Sequence, residues 1–265
     1  MMIAPKKSLG QHFLRNERIL KRIAQASFDA RGGAAGVLEI GPGTGNLTAE
    51  LIERFGRAAA VETDGRLIET LQKQFGDKLW LLHADAMKLD YAHVGREAFG
   101  GKPFALCANL PYYITSPLIR QALEAPVTPT SLVLLVQKEV ALRLCAAPRC
   151  GDYGLMSVAT QLRAVPSLLF DVAAGCFSPP PKVTSSVVRL LPHPADPLAG
   201  QAVTLARAAF AMRRKTLSNT LTSGMGLPRE EVNRRLVAAD IDPGQRAETL
   251  SPQDYLRLAG VWVRA

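Results

Sequence analysis

Four consecutive residues, Asn109-Leu110-Pro111-Tyr112, combine groups that could do chemistry on a flat ring carrying an exocyclic amine. The tetrapeptide offers an amide side chain, a backbone carbonyl, a rigid proline and an aromatic face. Proline fixes its own φ and biases Leu110 towards an extended conformation, so the loop is stiff. Tyr112 can stack on the ring. The Asn109 side-chain oxygen and a loop carbonyl can accept both hydrogens of the amine. Accepting them draws the nitrogen lone pair out of ring conjugation and makes it a better nucleophile without a strong base. The plainer reading is a turn that uses Asn and Pro because turns do.

The elements around this loop decide between the two readings. Phe104–Ala108 is an apolar run that reads as a buried strand, and in an open α/β sheet ligands bind beyond the carboxyl ends of strands. Upstream, Val37–Ile40 is a short strand followed at once by Gly41-Pro42-Gly43-Thr44-Gly45 and then a helix from Asn46. The third glycine of a dinucleotide fingerprint would fall at position 46, which is Asn. The loop therefore brings its backbone close to a ligand without cradling a pyrophosphate. A second strand, Ala58–Val61, ends at Glu62. The separation of 21 residues from Gly41 is close to the spacing of about 20 expected for an acid that binds ribose hydroxyls. A third strand, Leu79–Leu82, leads to Asp85, which could accept from an adenine amino group. Glu62 and Asp85 could instead be helix caps. Together with the glycines they point to an adenosine-containing ligand.

Further strands are read at Leu132–Val136, 164–172 and Thr184–Leu191, giving seven in all. Helices are read at Glu17–Phe28, after Asn46, around Leu67–Phe75, from Ser116-Pro117, from Gln137 to Cys145 and over 155–162. Between the last two strands lies Phe177-Ser178-Pro179-Pro180-Pro181-Lys182-Val183. Its triple proline cannot join a central strand, so it is expected to be a stiff loop that holds Phe177 out as a second aromatic surface. His193–Pro197 reads as a linker. After it the strand pattern stops, and helices are read at about 201–212, 216–223, 229–238 and 252–262. The fold class is therefore α/β over 1–194, with a small all-helical domain over 195–265.

The composition is that of a folded chain: 265 residues, 48% hydrophobic. The longest apolar run, Leu132–Val136, is far too short to span a membrane, and the N-terminus has lysines but no apolar signal core. Four cysteines form no CxxC pair and four histidines are scattered. Reduced thiols in a cytoplasmic protein, with no metal, are the expectation. The net charge of +9 is uneven: +5 over residues 1–36, +1 over 37–194 and +3 over 195–265. Basic flanks around a near-neutral middle suggest a polyanionic partner that touches the ends. Lys6, Lys7, Arg213, Arg214 and Lys215 are the candidate contacts. A basic triplet can also be only a solvated face.

Taken together, these stretches resemble the small-subunit rRNA adenine dimethyltransferases, the KsgA family. The resemblance rests on Leu9–Leu14, Glu39–Gly45, Asn109–Tyr112, Gln137–Val140, Phe177–Val183, Arg213–Thr216 and Arg246–Glu248. It implies a Rossmann-like class I methyltransferase with a seven-stranded mixed sheet and a C-terminal helical domain that contacts RNA. It implies S-adenosylmethionine as cofactor, held at His12, Leu14, Gly41, Glu62, Asp85 and Asn109. The family commonly has Asn where this chain has His12, and either side chain can make a polar contact. The implied substrate is a pair of adjacent adenosines near the 3′ end of 16S rRNA, in the small ribosomal subunit or its precursor, each dimethylated at N6. The implied catalytic set is Asn109, Leu110, Pro111, Tyr112 and Phe177. A role in ribosome biogenesis and a monomeric state complete the expectation. Three other readings share parts of the pattern. They are a large-subunit rRNA adenine methyltransferase of the macrolide-resistance type, a non-catalytic RNA-binding assembly factor and, with a different loop, a DNA adenine methyltransferase.

Overall fold

The computed structural model describes residues 11–212 and 214–264. In chain order the elements are β1 (Phe13–Leu14), α1 (Glu17–Asp29), β2 (Val37–Ile40), α2 (Asn46–Phe55), β3 (Ala58–Glu62), α3 (Gly65–Phe75) and β4 (Leu79–His83). Next come α4 (Tyr91–Phe99), β5 (Ala105–Asn109), α5 (Thr115–Glu124), β6 (Leu132–Gln137), α6 (Lys138–Cys145), α7 (Leu155–Gln161) and β7 (Ala164–Val172). The chain ends with β8 (Phe177–Ser178), β9 (Ser185–Pro192), α8 (Ala199–Phe210), α9 (Leu217–Met225), α10 (Arg229–Ala238) and α11 (Pro252–Arg264).

Seven strands form one sheet in the order β4-β3-β2-β5-β6-β9-β7. The β4, β3, β2, β5 and β6 strands are mutually parallel, and β9 runs antiparallel to β6. Parallel strands with helices on both faces are buried on both sides, which explains near-continuous apolar runs such as Leu132–Val136. The strand order reverses at β2, between β3 and β5, so a ligand crevice is expected beyond the ends of β2 and β5. Register places Ile40 opposite Ala108, which sets Gly41 beside Asn109.

Local rules start and stop the helices. In α1 the Asn16 side chain accepts from the Ile19 N–H, while Leu20, Ile23, Ala24 and Ser27 form one buried stripe. Helix α4 has no counterpart in the sequence reading. Asp90 caps it through Ala92 and His93, and Gly100 ends it in the left-handed region. Gly95 in its middle breaks the pattern that would have revealed it. Helix α5 starts at Thr115, so Pro117 stands at its third position and not its first. Gln137 is the last residue of β6 and not the first of α6.

The chain forms two compact units. Among the described residues the first holds 11–141 and Pro166–Pro192, and the second holds Leu142–Val165 and everything from His193 onward. The sequence boundary at 194 thus differs for 142–165, which packs with the helices. Tyr153, Val158 and Leu162 from that segment join Leu205, Leu221, Leu258 and Trp262 in the second unit's core. The Tyr153 hydroxyl donates to the Leu250 carbonyl at 2.8 Å, and the Tyr255 hydroxyl to that of Ala247 at 3.0 Å. The Arg246–Glu248 stretch therefore supplies one carbonyl acceptor to this core, that of Ala247. No helix among the described residues is long and apolar enough to cross a membrane.

Candidate active site

The ends of β2, β3, β4 and β5 converge on a cavity of about 290 Å3. Its lining includes Gly41, Glu62, Asp85, Asn109, Tyr112 and Phe177. The glycine loop makes the first wall. Gly41 has φ +69°, and a Cβ there would project into open space. At Gly43, φ is +57° and a Cβ would come within 2.9 Å of the Phe13 ring. Only glycine combines such backbone angles with so close an approach.

Glu62 is buried, and each of its two carboxylate oxygens accepts one backbone hydrogen bond, which leaves acceptor capacity for a ligand. Its carboxylate accepts from the Gly43 N–H at 3.1 Å and from the Asp64 N–H at 2.8 Å. It does not cap α3; Asp64 does, through the Arg66 N–H. Asp64 also pairs with the Arg66 guanidinium, which holds its carboxyl down at about 2. Asp85 does cap a short 3-10 turn, through Met87 at 2.9 Å. That uses one of its two oxygens, so capping and ligand binding are compatible at this residue.

Glu39, one strand away, is buried and accepts from Thr48 Oγ1 at 2.6 Å. Burial pushes its carboxyl up to about 8; the Thr48 bond opposes that and the nearby Glu62 adds to it.

A strap of residues 11–15 closes another side. Phe13 and Leu14 pair antiparallel with Ser178 and Phe177. Arg15 N donates to the Cys176 carbonyl at 2.9 Å, and Asn46 Nδ2 to the Leu14 carbonyl at 2.9 Å. Asn46 is the residue that broke the dinucleotide pattern. Its side chain ties the strap to α2, a role that sequence reading did not find although the departure was visible. The His12 ring lies against Tyr112, with centroids 6.1 Å apart and planes at 22°. His12 Nδ1 donates to the Pro179 carbonyl at 2.8 Å. The residue's ring polarity on that side is thus spent within the protein.

Asn109 ends β5. Its Nδ2 donates to the His12 carbonyl at 3.1 Å, which fixes the amide and leaves Oδ1 as its acceptor. Leu110 is buried, and its N–H donates to Leu135 at 3.4 Å. The Pro111 carbonyl accepts from Ile114 N at 3.2 Å, so Leu110 provides the loop's uncommitted carbonyl. The Tyr112 hydroxyl shares a hydrogen bond with Ser185 Oγ at 2.9 Å. The next residue, Ser186, donates to Asp171 at 2.7 Å, and Asp171 pairs with Lys138 at 2.6 Å. The Gln137–Val140 stretch is in this way linked to the tyrosine that faces the cavity.

Phe177 corrects an expectation. It is not held out as a free surface; only 6% of it is exposed, because pairing of β8 with β1 packs it against Leu14. It still lines the cavity. Lys6, Lys7 and Arg213 lie outside the described residues, and Arg214 and Lys215 are exposed in the segment before α9. Among the described residues no group of His, Cys, Asp and Glu could hold a metal ion.

A mixed, mostly parallel sheet with this strand order, a glycine loop after β2, an acid at the end of β3 and a second acid after β4 define a class I methyltransferase. The open space over Gly41, the acids Glu62 and Asp85 and the free acceptor of Asn109 fit S-adenosylmethionine. A family model described as ribosomal RNA adenine dimethylase matches residues 3–262, and the chain belongs to that family. It is an S-adenosylmethionine-dependent rRNA adenine dimethyltransferase.

Ribosomal RNA small subunit methyltransferase A of Desulfitobacterium hafniense (strain DSM 10664 / DCB-2) is 42% identical over 94% of this chain and 89% of its own. The protein of that name from Dehalococcoides mccartyi (strain CBDB1) is 40% identical over 96% and 87%. Among solved structures, a dimethyladenosine transferase from Plasmodium falciparum superposes with a TM-score of 0.76 at 27% identity, covering 93% of this chain and 96% of that one. The 23S rRNA methyltransferase ErmE gives 0.70 at 27% identity, covering 94% and 98%.

Proposed function

We propose that this protein dimethylates N6 of two adjacent adenosines near the 3′ end of 16S rRNA, in the small ribosomal subunit or its precursor, as a cytoplasmic monomer that contributes to ribosome biogenesis. The observation that carries the reaction is the state of Asn109: its Nδ2 is committed to His12, so Oδ1 and the Leu110 carbonyl remain to accept the two hydrogens of an adenine amine. The small-subunit assignment is supported by relatives of that name at 40–42% identity over nearly the whole chain.

The bound cofactor supplies an electrophilic methyl on a sulfonium; the residues of this chain supply alignment. Gly41, Glu62, Asp85, His12, Leu14 and Asn109 are the residues proposed to hold the cofactor. Proximity and orientation of this kind can contribute roughly 7–11 kcal/mol to lowering a barrier. An adenosine must leave its stack to enter, at a cost of a few kcal/mol. Stacking on Tyr112, with Phe177 closing the cavity behind it, offsets that by about 1–3 kcal/mol. One amine proton leaves to solvent at each transfer. After the first, a single N–H remains for Asn109 or Leu110 to accept, and the cavity must admit a methylated nitrogen. Rigid Pro111 keeps both acceptors in register. Lys6, Lys7, Arg213, Arg214 and Lys215 are the residues proposed to meet rRNA phosphates.

The test is transfer of labelled methyl from S-adenosylmethionine to unmethylated small and large ribosomal subunits, with nucleoside analysis. Dimethyladenosine in small-subunit RNA is expected. Label in large-subunit RNA would keep the mechanism and move the substrate. Cofactor binding with no transfer to either would make the chain a binding factor.

A further inference from the structure

Tyr113 is treated differently from its neighbour. Tyr112 is half-buried, with its hydroxyl tied to Ser185. Tyr113 is 64% exposed, the one aromatic among the large apolar side chains left open to solvent in the described residues, and it lines the cavity. The two stand in a 3-10 turn over Tyr112–Ile114, closed by the bond from Ile114 N to the Pro111 carbonyl. With three residues per turn, successive side chains point about 120° apart. The two rings therefore leave the turn in different directions, and only Tyr112 is drawn into the fold. Among the described residues the Tyr113 ring makes no hydrogen bond and no ring pair. An exposed aromatic ring at a cavity that admits a base is placed to stack on a neighbouring base.

The substrate supplies what such a ring could cover. When one adenosine is drawn into the cavity, the base beside it loses a stacking partner, and its bare face arrives at the mouth. We propose that Tyr113 is the stacking platform for the nucleotide adjacent to the one being methylated, a substrate-binding residue that favours an unstacked base at that position. This rests on the RNA substrate proposed above. Tyr112 then grips the reacting base and Tyr113 its neighbour, so a strand carrying two adjacent target adenosines would use both rings in each of its two registers.

The experiment measures methyl transfer by wild type, Tyr113→Ala and Tyr113→Phe on unmethylated small subunits, with rates counted per target adenosine. It is repeated on subunits reconstituted with an abasic nucleotide beside the target. Tyr113→Ala is expected to lower kcat/KM roughly 5- to 150-fold, with cofactor affinity unchanged and Tyr113→Phe near wild type. On the abasic substrate the wild type should fall to the level of Tyr113→Ala, and the variant should fall no further. Wild-type turnover with an indifferent Tyr113→Ala overturns the inference alone. So does an alanine loss that persists in full on the abasic substrate. A wild type that transfers no methyl to small subunits overturns the substrate reading and this inference with it.

Discussion

The sheet unit and the helical unit bury different kinds of side chain. Every carboxylate buried among the described residues, Glu39, Glu62 and Asp64, lies in the sheet unit. The helical unit buries Leu205, Leu221, Leu236, Leu258 and a series of alanines; its buried side chains carry the hydroxyls of serine, threonine and the tyrosines Tyr153 and Tyr255, with no carboxylate among them. Burying a carboxylate costs free energy unless hydrogen bonds offset it. The sheet unit accepts that cost beside its cavity, where Glu62 holds the glycine loop by its backbone and Glu39 is kept off its ordinary pKa. The helical unit has no such groups and is packed like an ordinary core. The difference teaches that perturbed acids in a cleft locate a site where fold class alone does not.

Substitutions can sharpen or break that contrast. The largest effect is expected at Asn109. Asn109→Ala should reduce methyl transfer by about 1,000-fold or more, since a polar group positioned for the transition state is typically worth about 10²–10³ and the change also releases the His12 carbonyl. Cofactor affinity by calorimetry should move only a few-fold; full activity would remove Asn109 from the mechanism. In the helical unit the effect should be on stability. Leu258→Ala, at a fully buried position, should cost about 2–5 kcal/mol in denaturant unfolding. A loss under about 1 kcal/mol would show a core less tightly packed than its burial suggests.

Tyr112→Ala should lower kcat/KM on ribosomal subunits about 5- to 150-fold, the range of one base–aromatic stack. Tyr112→Phe, which removes only the bond to Ser185, should cost a few-fold. Equal losses in the two variants would place the effect in the hydroxyl and not the ring.

The last effect is a pH dependence of stability and not of turnover. Glu39 has a folded-state pKa raised to about 8 from 4.5. Between those values the unfolded chain has released a proton that the folded chain keeps, so stability falls as pH rises through this window. The slope is at most about 1.4 kcal/mol per pH unit. Glu39→Gln should flatten that part of the melting-temperature profile and be the more stable form at pH 8. A variant whose profile parallels the wild type between pH 5 and 8 would show that Glu39 ionises normally.

Much of this molecule is legible one segment at a time. Apolar runs of four or five residues disclose β3, β4 and β6; in β3 and β6, buried on both faces, no polar alternation is needed. Helical periodicity and prolines marked α10 and α11 close to their observed bounds. The Asn109 loop, the alternating glycines, Glu62 and Asp85 stand out in the sequence because each sits at a strand end, and the structure brings them to the lining of one cavity. Other features depend on residues far apart in the chain. Two-residue strands such as β1 and β8 have no period to read, and their pairing is what buries Phe177. Asn46 and Glu62 show their roles only when their partners, the Leu14 carbonyl and the Gly43 N–H, are brought next to them. Residues 142–165 follow a strand and look like part of the sheet, yet Tyr153 finds its acceptor at Leu250 and joins the helices. Local sequence determined which segments could form elements and which side chains could react. Tertiary structure decided which backbone groups those side chains would hold, because a hydrogen bond between distant segments exists only once the sheet has set them side by side.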